Sequence, residues 1–185
     1  MQRRATSNAL VALLVSVMLL AGAKPASAAP CRHSDVLPSM SNLGQVRSAV
    51  RCLLNRERTR RGLPKLKPKG ALAKAAQKHG DNMVRKRFFS HVAPNGSTPQ
   101  SRIRIAGYWG DYLGENLAWG LEGYATPRQM VFNWMHSRRH RRNILDRRFR
   151  DGGVGIAIGD PRGGPGATYA TTFGGRRSRV GRTFG

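Results

Sequence analysis

Hydrophobic positions recur at intervals of three and four along two long stretches of the chain, which predicts two amphipathic helices. The first helix runs from Leu43 to about Arg60 and ends at Gly62, a residue type that commonly follows a helix C-terminus. The second follows a basic connector that ends at Gly70, and its apolar side reaches Val84. These two helices are expected to supply much of the core.

Two Thr-Pro pairs predict two further helices, because threonine is a good N-cap and proline suits the first helical position. Thr98-Pro99 opens a short helix that ends near Ala106, and Thr126-Pro127 opens a longer one. The longer helix places Met130, Val131, Trp134 and Met135 inside.

Three stretches are typical of strands. Tyr112–Gly120 is the first, and Val154–Ile158 and Ala167–Phe173 are rich in β-forming residues. A Gly/Pro loop, Gly159–Gly166, joins the last two and predicts an antiparallel hairpin. Helices cluster early and strands late, which predicts an α+β layered domain.

The first 28 residues have the pattern of a secretory signal peptide. A basic start precedes an apolar run, Ala9 to Ala23, and the small residues Ala26-Ser27-Ala28 precede the expected cleavage point. An uncleaved membrane anchor is the alternative, but the run is short of the ~20 residues that a span needs. We therefore expect a secreted protein with an N-terminal arm (29–44), a domain (45–174) and a basic tail (175–185).

The charge of the chain is strongly positive, with 33 Lys and Arg against 9 Asp and Glu and a formal net charge of +24. Cleavage would remove Arg3, Arg4 and Lys24, leaving 30 basic against 9 acidic residues and +21. Outside the cell such a charge favours anionic envelope polymers or lipid headgroups. An arginine-rich genome or solubility is the alternative. We expect no specific nucleic-acid partner, no integral membrane protein after processing, and a monomer.

The chain contains two cysteines, Cys31 and Cys52. In an oxidising compartment they predict a disulfide that ties the arm to the first helix. The bridge would close a loop of roughly 22 residues and stabilise the fold by about 3 kcal/mol. Free or metal-binding thiols are the alternative, but nothing near either cysteine provides ligand spacing.

Glu115 is the unusual residue of the first strand, because it puts a carboxylate into an apolar run. Burying that charge is costly unless a partner or a metal compensates it, and His91 and His140 are the candidate partners. Two imidazoles and a carboxylate suit zinc or another divalent metal. Alternatively, Glu115 orients a protonated histidine and the cleft does no chemistry.

Two other histidine arrangements are weaker candidates. His79 falls on the apolar side of the second helix, where a core histidine is expected more often than a ligand. His136 and His140 are spaced to share one helical face, but four arginines beside them disfavour a dication.

Four segments together resemble the CAP superfamily, also called the SCP domain, and within it the bacterial secreted branch. They are Leu54-Asn55-Arg56-Glu57-Arg58, Phe89-Ser90-His91, Gly114-Glu115-Asn116-Leu117-Ala118-Trp119 and the stretch from Trp134 to Leu145. The resemblance covers roughly Val46 to Gly174 and includes a closing hairpin. It implies a three-layer α-β-α sandwich with a small antiparallel sheet and a central cleft.

The resemblance also implies a site. In the family two histidines and two glutamates line the cleft and can bind a divalent metal, often zinc. His91, Glu115 and His140 match three of the four, whereas Ser137 stands where the second glutamate is expected. Asn116 and Asn143 are expected to hold backbone around the cleft, and Trp119 and Trp134 to lie in the core.

Three functions follow as expectations. The first is a binding module that takes a metal, a small lipid (a sterol, fatty acid or phospholipid) or an envelope ligand. The second is a metal-assisted extracellular hydrolase, with Glu115 as base and His91 and His140 holding the metal. The third is a structural or host-interaction protein with a vestigial cleft. The missing second carboxylate favours binding over catalysis.

Overall fold

We describe residues 29–177 in a computed structural model of the chain. The predicted signal peptide (1–28) and most of the predicted basic tail (178–185) lie outside the described residues. The helices are α1 (Leu43–Thr59), α2 (Gly70–Arg85), α3 (Pro99–Ile105), α4 (Pro127–His136) and α5 (Arg138–Leu145). The strands are β1 (Lys67–Pro68), β2 (Tyr112–Gly120), β3 (Asp151–Ile158) and β4 (Ala167–Gly175). None of the helices between residues 29 and 177 has the length and apolar character that crossing a membrane requires.

The strands form one sheet in the order β1-β3-β4-β2. β3 and β4 make the predicted antiparallel hairpin, and β2 pairs with β4 so that Glu115 lies opposite Thr172. The two-residue β1 pairs in parallel with β3, with Lys67 opposite Asp151. The sequence did not predict β1, because two residues are too few to show the alternation that marks a strand.

Helices cover both faces of this sheet, which confirms the expected three-layer sandwich. On one face, Ile156 and Tyr169 belong to a buried cluster with Val50 of α1 and Trp134 of α4. On the other face, α2 lies directly on the strand backbone: a Cβ atom at Gly155 would be 2.2 Å from a backbone nitrogen of α2. Glycine therefore allows a close approach that no other residue would permit.

The ends of the helices follow the predicted signals. Thr98 caps α3 through its side chain, which accepts a hydrogen bond from the Ser101 amide at 3.2 Å. Thr126 caps α4 in the same way. The helical segment breaks at Ser137, whose extended backbone separates α4 from α5. His136 and His140 therefore lie on two helices, so the shared helical face considered for this pair is wrong.

Two further predictions concern the arm and the tryptophans. Cys31 and Cys52 form the predicted disulfide, with 5.7 Å between their Cα atoms.

Trp134 is buried in the core and donates its indole N–H to the Leu117 carbonyl at 2.9 Å. Trp119 is only half-buried, and the Arg162 guanidinium lies 4.2 Å from the centre of its ring. The expectation that Trp119 is a core residue is therefore wrong.

Candidate functional site

The centre of the cleft is a buried ion pair between Glu115 on β2 and Arg102 on α3. The Glu115 side chain is 2 % exposed. One guanidinium nitrogen of Arg102, Nη2, donates to Oε2 at 2.9 Å and to Oε1 at 3.2 Å. The cationic partner that burial of Glu115 requires is therefore supplied by an arginine.

Arg102 also holds the segment that carries His91. Its Nη1 donates to the Ser97 carbonyl at 2.7 Å, and its Nη2 donates to the His91 carbonyl at 2.9 Å. The capped first turn of α3 fixes the helix from which this side chain extends. The guanidinium thus joins α3, β2 and the loop before α3 in one hydrogen-bond network.

His91 contacts the same carboxylate from the solvent side. Its Nδ1 lies 2.8 Å from Glu115 Oε1, and since a carboxylate can only accept, Nδ1–H is the donor. The side chain is 52 % exposed. Within residues 29–177 its second nitrogen, Nε2, makes no hydrogen bond and remains able to bind a ligand.

His140 lies on α5, and its imidazole makes no hydrogen bond within the described part of the chain. Burial lowers the pKa of His140, and the nearby His91 lowers it further, so both effects favour the neutral ring. Its backbone is held firmly: the Asn116 amide donates to the His140 carbonyl at 3.0 Å. Asn143 donates to the Glu115 carbonyl at 3.0 Å and to the Asn116 side-chain oxygen at 2.9 Å. Both asparagines therefore hold backbone around the cleft, as predicted.

His79 is fully buried beneath the cleft, which confirms the prediction of a core histidine. Its Nε2–H donates to the Ser90 carbonyl at 2.9 Å, and its Nδ1 has no partner among residues 29–177. Burial lowers the pKa of His79, while the charge of Glu115 opposes that shift. The neutral ring thus supports the loop that leads to His91.

A model of the cysteine-rich secretory protein family, CAP, matches residues 53–173, which include every cleft residue described above. The chain belongs to the CAP family.

Two curated relatives of this CAP protein are described as uncharacterised. The uncharacterised protein YkwD of Bacillus subtilis is 36% identical over 103 residues, which are 56% of this chain and 39% of that protein. The uncharacterised membrane protein YlbC of the same organism is 29% identical over 104 residues, 56% of this chain and 29% of that protein. The match thus spans less than half the length of either relative.

Two solved structures of bacterial proteins have a similar fold. An extracellular protein with an SCP domain from Bacillus anthracis aligns with a TM-score of 0.60 and 25% identity, over 74% of this chain and 41% of that one. An outer surface protein of Borrelia burgdorferi aligns with a TM-score of 0.61 and 19% identity, over 76% of this chain and 97% of that one. The second likeness shows the fold alone.

The residues of this CAP cleft fit a three-ligand metal site poorly. Both oxygens of Glu115 already accept hydrogen bonds from Arg102, whose positive charge opposes a dication at the same carboxylate. Ser137 supplies no second carboxylate. Among residues 29–177 no three side chains of His, Cys, Asp or Glu are grouped so that they could hold one ion. The metal remains a prediction.

A second feature lies between α1 and α4, and we call it the basic groove. It has a volume of about 430 Å³. Five arginines line it: Arg56, Arg60, Arg61, Arg128 and Arg141. Its apolar lining is Leu53, Val131, Phe132 and Met135.

The acidic residues at the basic groove neutralise only part of this charge. Glu57, the one acidic residue in its lining, accepts hydrogen bonds from Arg60 and from Arg61. Arg128 pairs with Asp35, and this hydrogen bond lowers the pKa of the Asp35 carboxyl to about 2. Arg56 and Arg141 have no ion-pair partner within the described residues. The basic groove therefore combines an apolar floor with unneutralised positive charge.

Sequence reasoning placed Glu115 correctly in a strand and missed its principal partner. Arg102 is one of 33 basic residues, and nothing in its local pattern separates it from the rest. The signal that could have identified it is its position beside the buried Ile103 in a short capped helix. An arginine on the buried side of a helix needs an acceptor, and acidic residues are scarce in this chain.

Proposed function

We propose that this CAP domain is a secreted binding module that holds anionic, acyl-bearing molecules of an envelope in the basic groove. The observation that carries the proposal is the set of five arginines around an apolar floor between α1 and α4. Arginine suits phosphate and carboxylate groups because its planar donors bind them in pairs. The apolar floor would contact the hydrocarbon next to such a headgroup.

The dimensions and surface of the basic groove support this assignment. Its volume of about 430 Å³ lies in the range of small-molecule sites. Phe132 is 54 % exposed at its edge, where an acyl chain could cover it. Each basic residue near an anionic membrane contributes about 1 kcal/mol of attraction, and the net charge of the chain adds long-range steering.

The cleft supports binding over hydrolysis. A general base must reach the proton that it removes. Glu115, the candidate base, is almost completely buried, and its oxygens accept hydrogen bonds from Arg102 and His91. A carboxylate held in this way is suited to positioning the two segments that contact it.

Secretion is part of the proposal. The Bacillus anthracis relative is described as extracellular and the Borrelia burgdorferi relative as an outer surface protein. The first 28 residues have the pattern of a signal peptide. Fractionation of expressing cells, followed by N-terminal sequencing, should find a mature chain that starts at Ala29; a chain that keeps Met1 would contradict secretion by this route.

Sedimentation with vesicles tests the binding function. The protein should bind vesicles that contain phosphatidylglycerol and leave phosphatidylcholine vesicles unbound at 0.15 M salt. The double variant Arg60→Gln/Arg141→Gln removes two exposed charges from the basic groove. The binding free energy should fall by about 2 kcal/mol, which corresponds to roughly 30-fold weaker binding to the vesicles. Phe132→Ser should weaken binding without changing the charge.

The matched control is Lys74→Gln/Lys78→Gln, which removes the same charge from exposed positions of α2 on the other face of the sheet. This control should change vesicle binding less than the groove variant. Equal losses in the two double variants would mean that overall charge attracts the protein and that the groove is no site. Equal binding to both kinds of vesicle would contradict the proposal as well.

A metal bound by His91 and His140 is the second candidate. One observation favours it: within residues 29–177 neither the Nε2 of His91 nor the His140 imidazole has a hydrogen-bond partner, and imidazole nitrogens are common zinc ligands. Calorimetry with zinc near neutral pH should then show about one ion per chain. An unchanged isotherm in the His91→Ala/His140→Ala variant would remove these residues from the site.

A further inference from the structure

A separate pocket lies where α1 meets β1 and the start of α2, at the edge of the sheet. It has a volume of about 190 Å³. Leu54 and Leu66 form apolar parts of its wall, and Val154 and Thr171 of the sheet also line it. An apolar cavity of about 150 Å³ accepts a benzene molecule, so this edge pocket has room for a small organic molecule.

The hydroxyl of Thr171 is the unusual group in the edge pocket. Thr171 is 1 % exposed, and its Oγ1 has no hydrogen-bond partner among residues 29–177. Two other buried threonines of β4 have partners: Thr168 donates to the Gly159 carbonyl and Thr172 to the Leu72 carbonyl, both at 2.9 Å. Buried polar atoms are normally paired, so the unpaired Thr171 hydroxyl is a candidate contact for a polar atom of a ligand.

Positive charge surrounds the edge pocket. Arg47, Arg51 and Lys69 line it, and none of them is in an ion pair within the described part of the chain. The two arginines donate side-chain hydrogen bonds to neutral groups, Arg47 to Gln77 and Arg51 to Ser48. No acidic side chain is among the lining residues of this pocket.

The start of α2 adds to this positive character. Gly70, the first residue of α2, lines the pocket, and the N-cap residue Lys69 makes no side-chain capping bond. The first turn of α2 contains no acidic residue. Within residues 29–177 the amides of Gly70, Ala71 and Leu72 have no acceptor, so they can donate to an anion, and the helix dipole favours negative charge there.

We infer that the edge pocket binds a small carboxylic acid with an apolar body and a second polar atom. The carboxylate lies at the start of α2 between Arg51 and Lys69, and the body packs against Leu54 and Leu66. The second polar atom pairs with the Thr171 hydroxyl. This inference does not depend on the basic groove, because the two sites share no lining residue.

Three small probes test the inference by NMR titration of the mature chain: 4-hydroxybenzoate, benzoate and benzyl alcohol. The hydroxy acid should bind most tightly, benzoate several-fold more weakly, and the neutral alcohol at least tenfold more weakly than benzoate. Arg51→Gln and Lys69→Gln, which replace exposed side chains, should each weaken both acids several-fold. Lys74→Gln, an equal charge change outside the pocket, should leave the affinities unchanged.

Thr171→Val tests the contribution of the hydroxyl separately from that of the positive charges. This variant should bind benzoate as the natural protein does and should lose the preference for 4-hydroxybenzoate. Absence of acid binding at millimolar concentrations would overturn the inference, as would acid affinities that Arg51→Gln and Lys69→Gln leave unchanged. Arg60→Gln/Arg141→Gln should not affect the probes, so failure here is distinguishable from failure of the vesicle experiment.

Discussion

The Arg102 guanidinium donates to both carboxylate oxygens of Glu115, at 2.9 and 3.2 Å, and neither side chain is more than 9 % exposed. The two residues are 13 positions apart, on α3 and β2. Because a buried charge is tolerated only with its partner, this pair fixes how α3 sits against the sheet. It also fixes the His91 loop, whose carbonyl binds the same guanidinium nitrogen.

Separating this ion pair should be costly. Arg102→Met leaves the Glu115 carboxylate buried without a cation, and we expect a loss of about 3–5 kcal/mol in the free energy of unfolding. Urea denaturation at pH 7 measures this loss. The double variant Arg102→Met/Glu115→Gln should lose less than the sum of its single changes, because no uncompensated charge remains.

Arg104→Met is the matched control for this cycle, because Arg104 is exposed on the same short helix. Its effect should stay below about 0.5 kcal/mol. Strictly additive losses for Arg102 and Glu115 would show that the two side chains are not energetically coupled.

Arg58 should not tolerate lysine. Its fully buried guanidinium donates to four backbone carbonyls: Pro64 at 2.9 Å, Ile144 at 2.7 Å, Asp146 at 3.0 Å and Phe149 at 2.8 Å. An ammonium has three donors and cannot reproduce this fork, so Arg58→Lys leaves buried carbonyls unpaired and should cost about 3 kcal/mol or more. Thermal denaturation of Arg58→Lys measures this loss, with Arg60→Lys at an exposed position as the control. Equal melting temperatures of the two variants would contradict the role of this hydrogen-bond network.

Acidification below the ordinary histidine pKa should destabilise the fold through His79. Burial lowers the folded-state pKa of His79 below 6.5, so the unfolded chain binds the proton first as the pH falls. The contribution of the neutral His79 ring to the free energy of unfolding is therefore fully present above about pH 6.5. It declines as the pH falls below that value, by at most about 1.4 kcal/mol per pH unit for one proton. Urea denaturation at several pH values between 7.5 and 5 should show this decline, and His79→Gln should reduce its slope. An unchanged slope would assign the acid sensitivity to another group.

The bond between Cys31 and Cys52 should hold the arm and contribute to stability. It closes a loop with a sequence separation of 21, for which chain entropy gives about 3 kcal/mol. The Cys31→Ser/Cys52→Ser variant should lose about that amount in chemical denaturation. Mass spectrometry after alkylation of the unreduced protein should find no modified cysteine, and two labelled thiols would contradict the bridge.

Local signals in the sequence were sufficient for most of the secondary structure. The bounds of β2 follow directly from its run of strand-forming residues, and the two Thr-Pro pairs mark the starts of α3 and α4. These features depend on propensities and caps that act within a few residues. The break at Ser137 was not visible in the same way, because the residues on both sides of it are compatible with one continuous helix.

The candidate site, too, was predictable from the sequence only in part. The sequence by itself determined that Glu115 lies in an apolar strand and needs a compensating partner, since that follows from the cost of burying a charge. Only the tertiary structure decided that Arg102 is a partner, that His91 binds the same carboxylate and that His140 does not hydrogen-bond to it. With 33 basic residues, the choice depends on how α3 packs against β2, and contacts across elements leave no local pattern. The same holds for the edge pocket, which exists only where β1, α1 and the start of α2 meet.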